Sequence, residues 1–404
     1  MLPSTKSQGK SYQEQLTQLK QKTVISLPRV QKITEQLILG FLAGLLFSWL
    51  NVPVGWLLGP MIMGIVYAAI ESNPQPLPPV FMTLGKASIG LATAVRFSPE
   101  TLSMATTYAI PILLCVLLTG SLSLFHGYLL SRWTGIDRVT GLLAFIPGAA
   151  STIVAIGEEM GADAIAIAVL QYLRVLLVVL LIPSAAGLIF PANPVSQATA
   201  SVAVDSNLPM PMLLNLLVLA GCCGFGIWGG NRLRLPASGL LGPMILALVA
   251  FWELPYQLQV PSWLFATGLL FIGVSIGLKF NRQAAQKLFK AVLIEVGLVL
   301  MLIVLCLGVG YEFHVVTQVD TVTAVLGFTP GGLEAMIATV MQLGGDAGLV
   351  LAMQMSRMLM IILMGPWLIS FLMKTGKSSD FEEGRIKEEE AEKLVETIES
   401  VNGG

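Results

Sequence analysis

Two short segments combine a helix breaker with residues that let other atoms approach the backbone: Phe145-Ile-Pro-Gly-Ala-Ala-Ser-Thr152 and Phe328-Thr-Pro-Gly-Gly-Leu-Glu-Ala335. Proline removes a backbone donor and interrupts a helix, while glycine adopts conformations that other residues resist. A helix that restarts after such a break presents unpaired N–H groups, which favour an anion. Pro147, Gly148, Ser151 and Thr152 in the first segment are therefore candidate substrate-binding residues, as are Pro330, Gly331, Gly332 and Glu334 in the second. The competing reading is a pair of proline kinks that serve packing alone.

Downstream of each break stand a glutamine and an arginine three positions apart, Gln171 with Arg174 and Gln354 with Arg357. That spacing puts both side chains on one helix face. An arginine in a long apolar run is expensive against lipid and must face the protein interior. Either the two arginines hold an anionic substrate, or they pair permanently with buried carboxylates such as Asp163, Asp346, Glu158 or Glu295. Lys86, Asp163, Glu295 and Asp346 are the candidates for a coupling-ion site or an interior ion pair. Lys86 and Glu295 could equally pair with each other.

These residues sit in a chain whose solvent is the bilayer. Hydrophobic residues make up 55% of the 404 and charged residues 12%, half of what a soluble domain carries. Of the 23 Lys and Arg, six lie in the first 35 residues and five after Met373, leaving long apolar runs between them. A net charge of −1 offers no basic face for a nucleic-acid backbone, so direct DNA binding is not expected. Cys115, Cys222, Cys223 and Cys306 lie in apolar segments without metal-site spacing and read as small buried hydrophobes. Only two histidines, His126 and His314, are present. That inventory argues against a metal oxidase, and no nucleophile constellation or phosphate loop appears. The expectation is a protein with no metal and no cofactor that is not an enzyme.

The chain repeats itself. Pro53-Val-Gly-Trp-Leu-Leu-Gly-Pro-Met-Ile62 returns 183 residues later as Pro236-Ala-Ser-Gly-Leu-Leu-Gly-Pro-Met-Ile245. The same offset carries Gly85, Gly90 and Arg96 onto Gly268, Gly273 and Lys279, and Gln171 and Arg174 onto Gln354 and Arg357. Lys86 and Glu295 fall on Leu269 and Ile112, so neither is duplicated. The expected organisation is a cytoplasmic tail over 1–35, repeats over 36–190 and 210–373 joined by a linker at 191–209, and a charged cytoplasmic tail over 374–404.

Each repeat has six apolar segments, and charge decides how they cross. Six full spans per half would leave Lys279, Arg282, Lys287 and Lys290 outside, against the positive-inside tendency. If each Pro-Gly segment enters and leaves on one face, those residues fall inside together with Arg132, Arg138, Arg232 and Arg234, and only Arg96 remains outside. An odd number of spans per half also makes the halves inverted. The predicted fold is all-α integral membrane, two inverted repeats of about five transmembrane helices plus one re-entrant segment each. Both termini are then cytoplasmic.

With the Gly-Trp-Leu-Leu-Gly-Pro-Met motif, the Phe-Ile-Pro-Gly and Phe-Thr-Pro-Gly-Gly motifs and the duplication in hand, the sequence resembles the AbrB family of bacterial membrane proteins from about Gln36 to Met373. The resemblance implies a plasma (inner) membrane protein linked to the regulation of gene expression. Some relatives carry an ammonia monooxygenase label, but no catalytic residue comes with either description. Nothing matches the small soluble DNA-binding regulator of the same name. The favoured function is a secondary transporter of a small anionic solute, coupled to H+ or Na+, with a mid-membrane site between the repeats. The second reading is a membrane regulator acting through a partner or a metabolite level, and an oxidase ranks third. The expected partners are the lipid bilayer and the solute; the sequence fixes no oligomeric state.

Overall fold

Helix starts and stops along the chain follow local chemistry. Aspartate opens α6 (Arg138–Phe145), where Asp137 Oδ2 accepts from Thr140 N at 3.1 Å. It also opens α14 (Thr321–Phe328), where Asp320 Oδ2 accepts from Thr323 N at 3.1 Å. Such N-caps satisfy backbone donors that have no partner inside the helix. Gly135 closes α5 (Ala109–Thr134) and Gly344 closes α15 (Leu333–Leu343), both in the left-handed region that glycine tolerates.

The computed structural model describes residues 27–71, 75–96, 99–146, 150–190, 208–209, 211–235, 237–253 and 256–360. The remaining first-half helices are α1 (Leu27–Trp49), α2 (Gly55–Ile70), α3 (Pro79–Arg96), α4 (Pro99–Thr107), α7 (Ala150–Glu159) and α8 (Ala164–Ile189). The second half adds α9 (Met212–Arg232), α10 (Ser238–Glu253), α11 (Ser262–Gly277), α12 (Arg282–Lys287), α13 (Phe289–Thr317) and α16 (Ala347–Met360). Two-residue strands β1 (Leu208–Pro209) and β2 (Tyr256–Gln257) pair in parallel. Five of the described helices are long and apolar enough to cross a membrane: Arg29–Trp49 within α1, α5, α8, α9 and α13. Shorter apolar helices fill the space between them.

The first helix begins at Leu27, nine residues before the apolar run, and so extends into the segment read as tail. Its early turns are polar. Lys32 Nζ pairs with Glu71 Oε1 at 3.0 Å, and fully buried Gln36 donates from Nε2 to Gln75 O at 3.1 Å. Helical turns bearing such groups continue past the hydrocarbon because their polar ends find partners there.

The duplication is visible in the backbone. Left-handed residues recur at the 183-residue offset, Asn51 with Arg234, Val54 with Ala237 and Gly161 with Gly344. The halves also pack reciprocally, α2 on α11 and α10 on α3. A Cβ at Gly90 would run into the Leu240 carbonyl, and one at Gly273 into the Leu57 carbonyl. These two contacts are the same contact carried across the repeat. Small residues there let helices approach to backbone distance.

Candidate functional site

The candidate site is built around the two interrupted helices. α6 ends at Phe145 and α14 at Phe328, and Ile146 and Thr329 turn extended ahead of the prolines, as a residue before proline must. Pro147 and Gly148 lie outside the described residues. In the second half the break is described: Gly331 has φ +135° and Gly332 φ +64°, conformations that a side chain would strain. A Cβ at Gly332 would also sit 2.6 Å from Val179 Cγ2 on α8. The chain then resumes as α7 or α15. Ser151 and Thr152 lie in the first two turns of α7, but their side chains lie outside the described set.

In each half the two ends of the interrupted segment meet. Asp163 N, just after α7, donates to Thr140 Oγ1 in the first turn of α6 at 3.1 Å. In the second half Asp346 N donates to Thr323 Oγ1 at 2.8 Å. The aspartates themselves are helix caps. Asp163 Oδ1 accepts from Ile165 N and Ala166 N at 3.0 Å each. Asp346 Oδ1 accepts from Gly348 N at 2.8 Å and Leu349 N at 3.0 Å, and its Oδ2 accepts from Thr101 Oγ1 at 2.8 Å.

The glutamines and arginines reach the freed carbonyls where the first half-helix ends. Gln171 Nε2 donates to Leu143 O and Arg174 Nη1 to Phe145 O, both at 2.7 Å. Gln354 Nε2 donates to Leu326 O and Thr329 O at 3.2 Å each. Arg357 Nη1 donates to Thr329 O at 2.9 Å and Nη2 to Gln354 Oε1. A helix C-terminus carries partial negative charge and unpaired carbonyls, and a guanidinium answers both. Among the described residues these arginine hydrogen bonds go to neutral acceptors and not to Asp163 or Asp346, two of the four carboxylates that residue types alone suggested.

Glu295 on α13 is fully buried, and neither carboxylate oxygen has a hydrogen-bond partner. The charge it feels is that of Arg174, whose Nε also lacks a partner. Ile112, its counterpart in the repeat, packs in a cluster with Leu349 and Met353, on the helix that carries Arg357. Arg174 therefore has a carboxylate acting on it, whereas the side chain that acts on Arg357 among the described residues is the Cys306 thiol.

Lys86 does not pair with Glu295. Its Nζ meets Glu334 Oε1 at 3.0 Å, joining α3 to the first turn of α15. Glu334 stands where the first half has Ser151 and Lys86 where the second half has Leu269, so the repeat copies neither partner. Two residues missed by sequence reasoning adjoin this pair. Lys279 interacts electrostatically with both Lys86 and Glu334, and its Nζ lies 4.8 Å over the Tyr172 ring. The signal that could have found Lys279 was the cation Arg96 at the equivalent position. Among the described residues, no group of three His, Cys, Asp or Glu side chains could hold a metal ion.

A family model described as "Transition state regulatory protein AbrB" matches residues 56–373, spanning both breaks and both Gln-Arg pairs. The chain belongs to the AbrB family. An AbrB-family relative from Escherichia coli (strain K12), named "Putative regulator AbrB", is 30% identical over 340 residues, which cover 83% of this chain and 94% of that protein. Another, "Uncharacterized protein YhjN" of Bacillus subtilis (strain 168), is 25% identical over 356 residues, covering 80% of this chain and 88% of that one. The AbrB-family match and the apolar helices together make this a membrane protein of that family.

Proposed function

We propose that the protein is a secondary transporter of a small anionic solute, in the bacterial plasma membrane with both termini cytoplasmic. The observation that carries this reading is the charge inventory beside the breaks. Lys86, Lys279, Arg174 and Arg357 supply four cations, whereas Glu295 and Glu334 supply two carboxylates. Arg357 has no acidic partner among the described residues, where its hydrogen-bond partners are neutral, Thr329 O and Gln354 Oε1. An uncompensated charge at membrane depth is costly, and an anionic solute beside the breaks would lower that cost.

The geometry favours inverted repeats with ten spans and two re-entrant segments. Tyr108, at the start of α5, has its ring 6.3 Å from Phe313, near the end of α13, a contact that supports an antiparallel run of these equivalent helices. The Thr140 and Thr323 bonds, which join the two ends of each interrupted segment, favour entry and exit on one face. Irregular backbone at that depth requires burial or a wet cavity, which suits a solute site.

Uptake of chloride, phosphate, acetate, succinate and benzoate into proteoliposomes tests the reading. At least one anion should accumulate through the wild type and fail to do so through Arg357→Gln. The regulator named among the relatives fits as an indirect consequence, since a changed internal solute level alters expression without DNA contact. If no anion moves, and cells carrying Arg357→Gln show the same transcript changes as wild type, the membrane-regulator reading replaces transport.

A further inference from the structure

We infer that the cavity beside Lys279 is a binding vestibule for an organic anion with an apolar body. The assignment rests on the transport function proposed above. The cavity encloses about 510 Å3 between the first half of α8 and the turn from α11 into α12 and α13. That is the size range of small-molecule sites.

Its chemistry is two cations, Lys279 and Arg282, on an apolar wall. Val169, Leu173 and Leu176 line it on α8, opposite Phe280 and Val292. Two of the polar groups are already engaged: Asn281 Oδ1 caps α12 through Ala284 N at 3.0 Å, and Arg282 Nη1 donates to Ala69 O at 3.2 Å. Lys279 is exposed and forms no ion pair among the described residues. Its ammonium rests instead over the Tyr172 ring, a weak contact that leaves N–H donors for a carboxylate. A bare inorganic anion would meet those charges only. A carboxylate with a ring or alkyl chain would also cover the α8 wall, and each buried CH2 favours binding.

The repeat supplies the second observation. The offset carries this cavity onto the ground between α16 and α4, where Thr101 Oγ1 holds Asp346 Oδ2 at 2.8 Å. The matching residues beside the cavity are Ala284 and Asp163, and alanine has no hydroxyl to make that bond. Burial follows the same division: Ile165 is 68% exposed, whereas Gly348, its counterpart, is buried. The two grounds therefore differ in their described residues, Thr101 bonding Asp346 in one where Ala284 stands beside Asp163 in the other, and Lys279 and Arg96 are corresponding positions in the sequence. Inverted repeats that exchange these two arrangements would present the solute to each face in turn.

The test is calorimetry on the full chain in neutral phosphatidylcholine nanodiscs, with acetate, sulfate, benzoate and octanoate as probes. Benzoate or octanoate should bind at least tenfold tighter than acetate or sulfate. Lys279→Gln should weaken that binding at least tenfold with an unchanged unfolding midpoint, and Ala168→Trp, which fills the cavity, should abolish it. Equal binding of all four probes, or binding indifferent to Lys279→Gln, overturns the assignment. So does loss of benzoate binding on adding phosphatidylglycerol, since the crevice would then belong to an anionic lipid headgroup. Uptake that depends on Arg357 but ignores Lys279→Gln would sink the vestibule and leave transport standing; benzoate binding without uptake of any anion would do the reverse.

Discussion

Lys86 and Glu334 meet at 3.0 Å across the two halves of the chain, and the duplication that copies so much else copies neither of them. Their side chains are 29% and 11% exposed, so the pair is shielded without being sealed. Replacing either partner by its counterpart in the other half, Lys86→Leu or Glu334→Ser, strands the opposite charge. Each change should cost about 2–3 kcal/mol, below the fully buried range because Lys86 retains some solvent. The double variant should recover most of that loss while anion uptake stays absent. Strictly additive losses in a double-mutant cycle would show that the two charges are not coupled.

The two arginines should respond differently to neutralisation. Arg174→Gln leaves Glu295 buried without the opposing charge it has among the described residues, a loss of about 3–5 kcal/mol that Glu295→Gln in the same chain should largely restore. Arg357→Gln removes hydrogen bonds to neutral acceptors, at about 1–3 kcal/mol, and should abolish anion uptake in protein that still folds. Chemical unfolding in detergent ranks the variants. The same stability loss for both arginines, with uptake preserved in Arg357→Gln, would remove the argument from Arg357.

Topology can be read with membrane-impermeant thiol reagents in a background free of the four native cysteines. Arg282→Cys should label only from the cytoplasmic side and Asp320→Cys only from the outside, because α13 lies between them. Labelling of both from one side would contradict the five-span arrangement.

The reciprocal glycines give a packing test. Gly90→Ala and Gly273→Ala should each destabilise by about 1–3 kcal/mol, since the added methyl group meets a backbone carbonyl that cannot move aside. Gly120→Ala, with open space around it, is the control and should be neutral or mildly stabilising. Thermal unfolding of the three variants decides the matter; a Gly90→Ala protein as stable as wild type would mean the helices have room to part.

Much of this was legible in the residues. One offset, read from Leu-Leu-Gly-Pro-Met, located α2 and α10, and the Pro-Gly pairs located the breaks. The shared face of Gln171 and Arg174 was legible from their spacing, but their partners were not. A backbone carbonyl freed by a helix break carries no side-chain signature, so Phe145 O could not be named in advance. Lys86 and Glu334 were each singled out, yet only tertiary packing of α3 against α15 could pair them. Asp163 and Asp346 looked like ion-pair candidates because a carboxylate in an apolar stretch is conspicuous, and the turn before a helix gives it a local use instead.

The exchange of partners between α2, α3, α10 and α11 has a consequence for how such a chain comes to exist. A contact that maps onto itself when the halves are swapped is an isologous interface, the kind that holds two identical subunits together. Each half withholds part of its folding information in its sibling, so neither is self-sufficient. Severed between residues 191 and 207, the fragments should be lost to degradation when made singly and should find each other when made together.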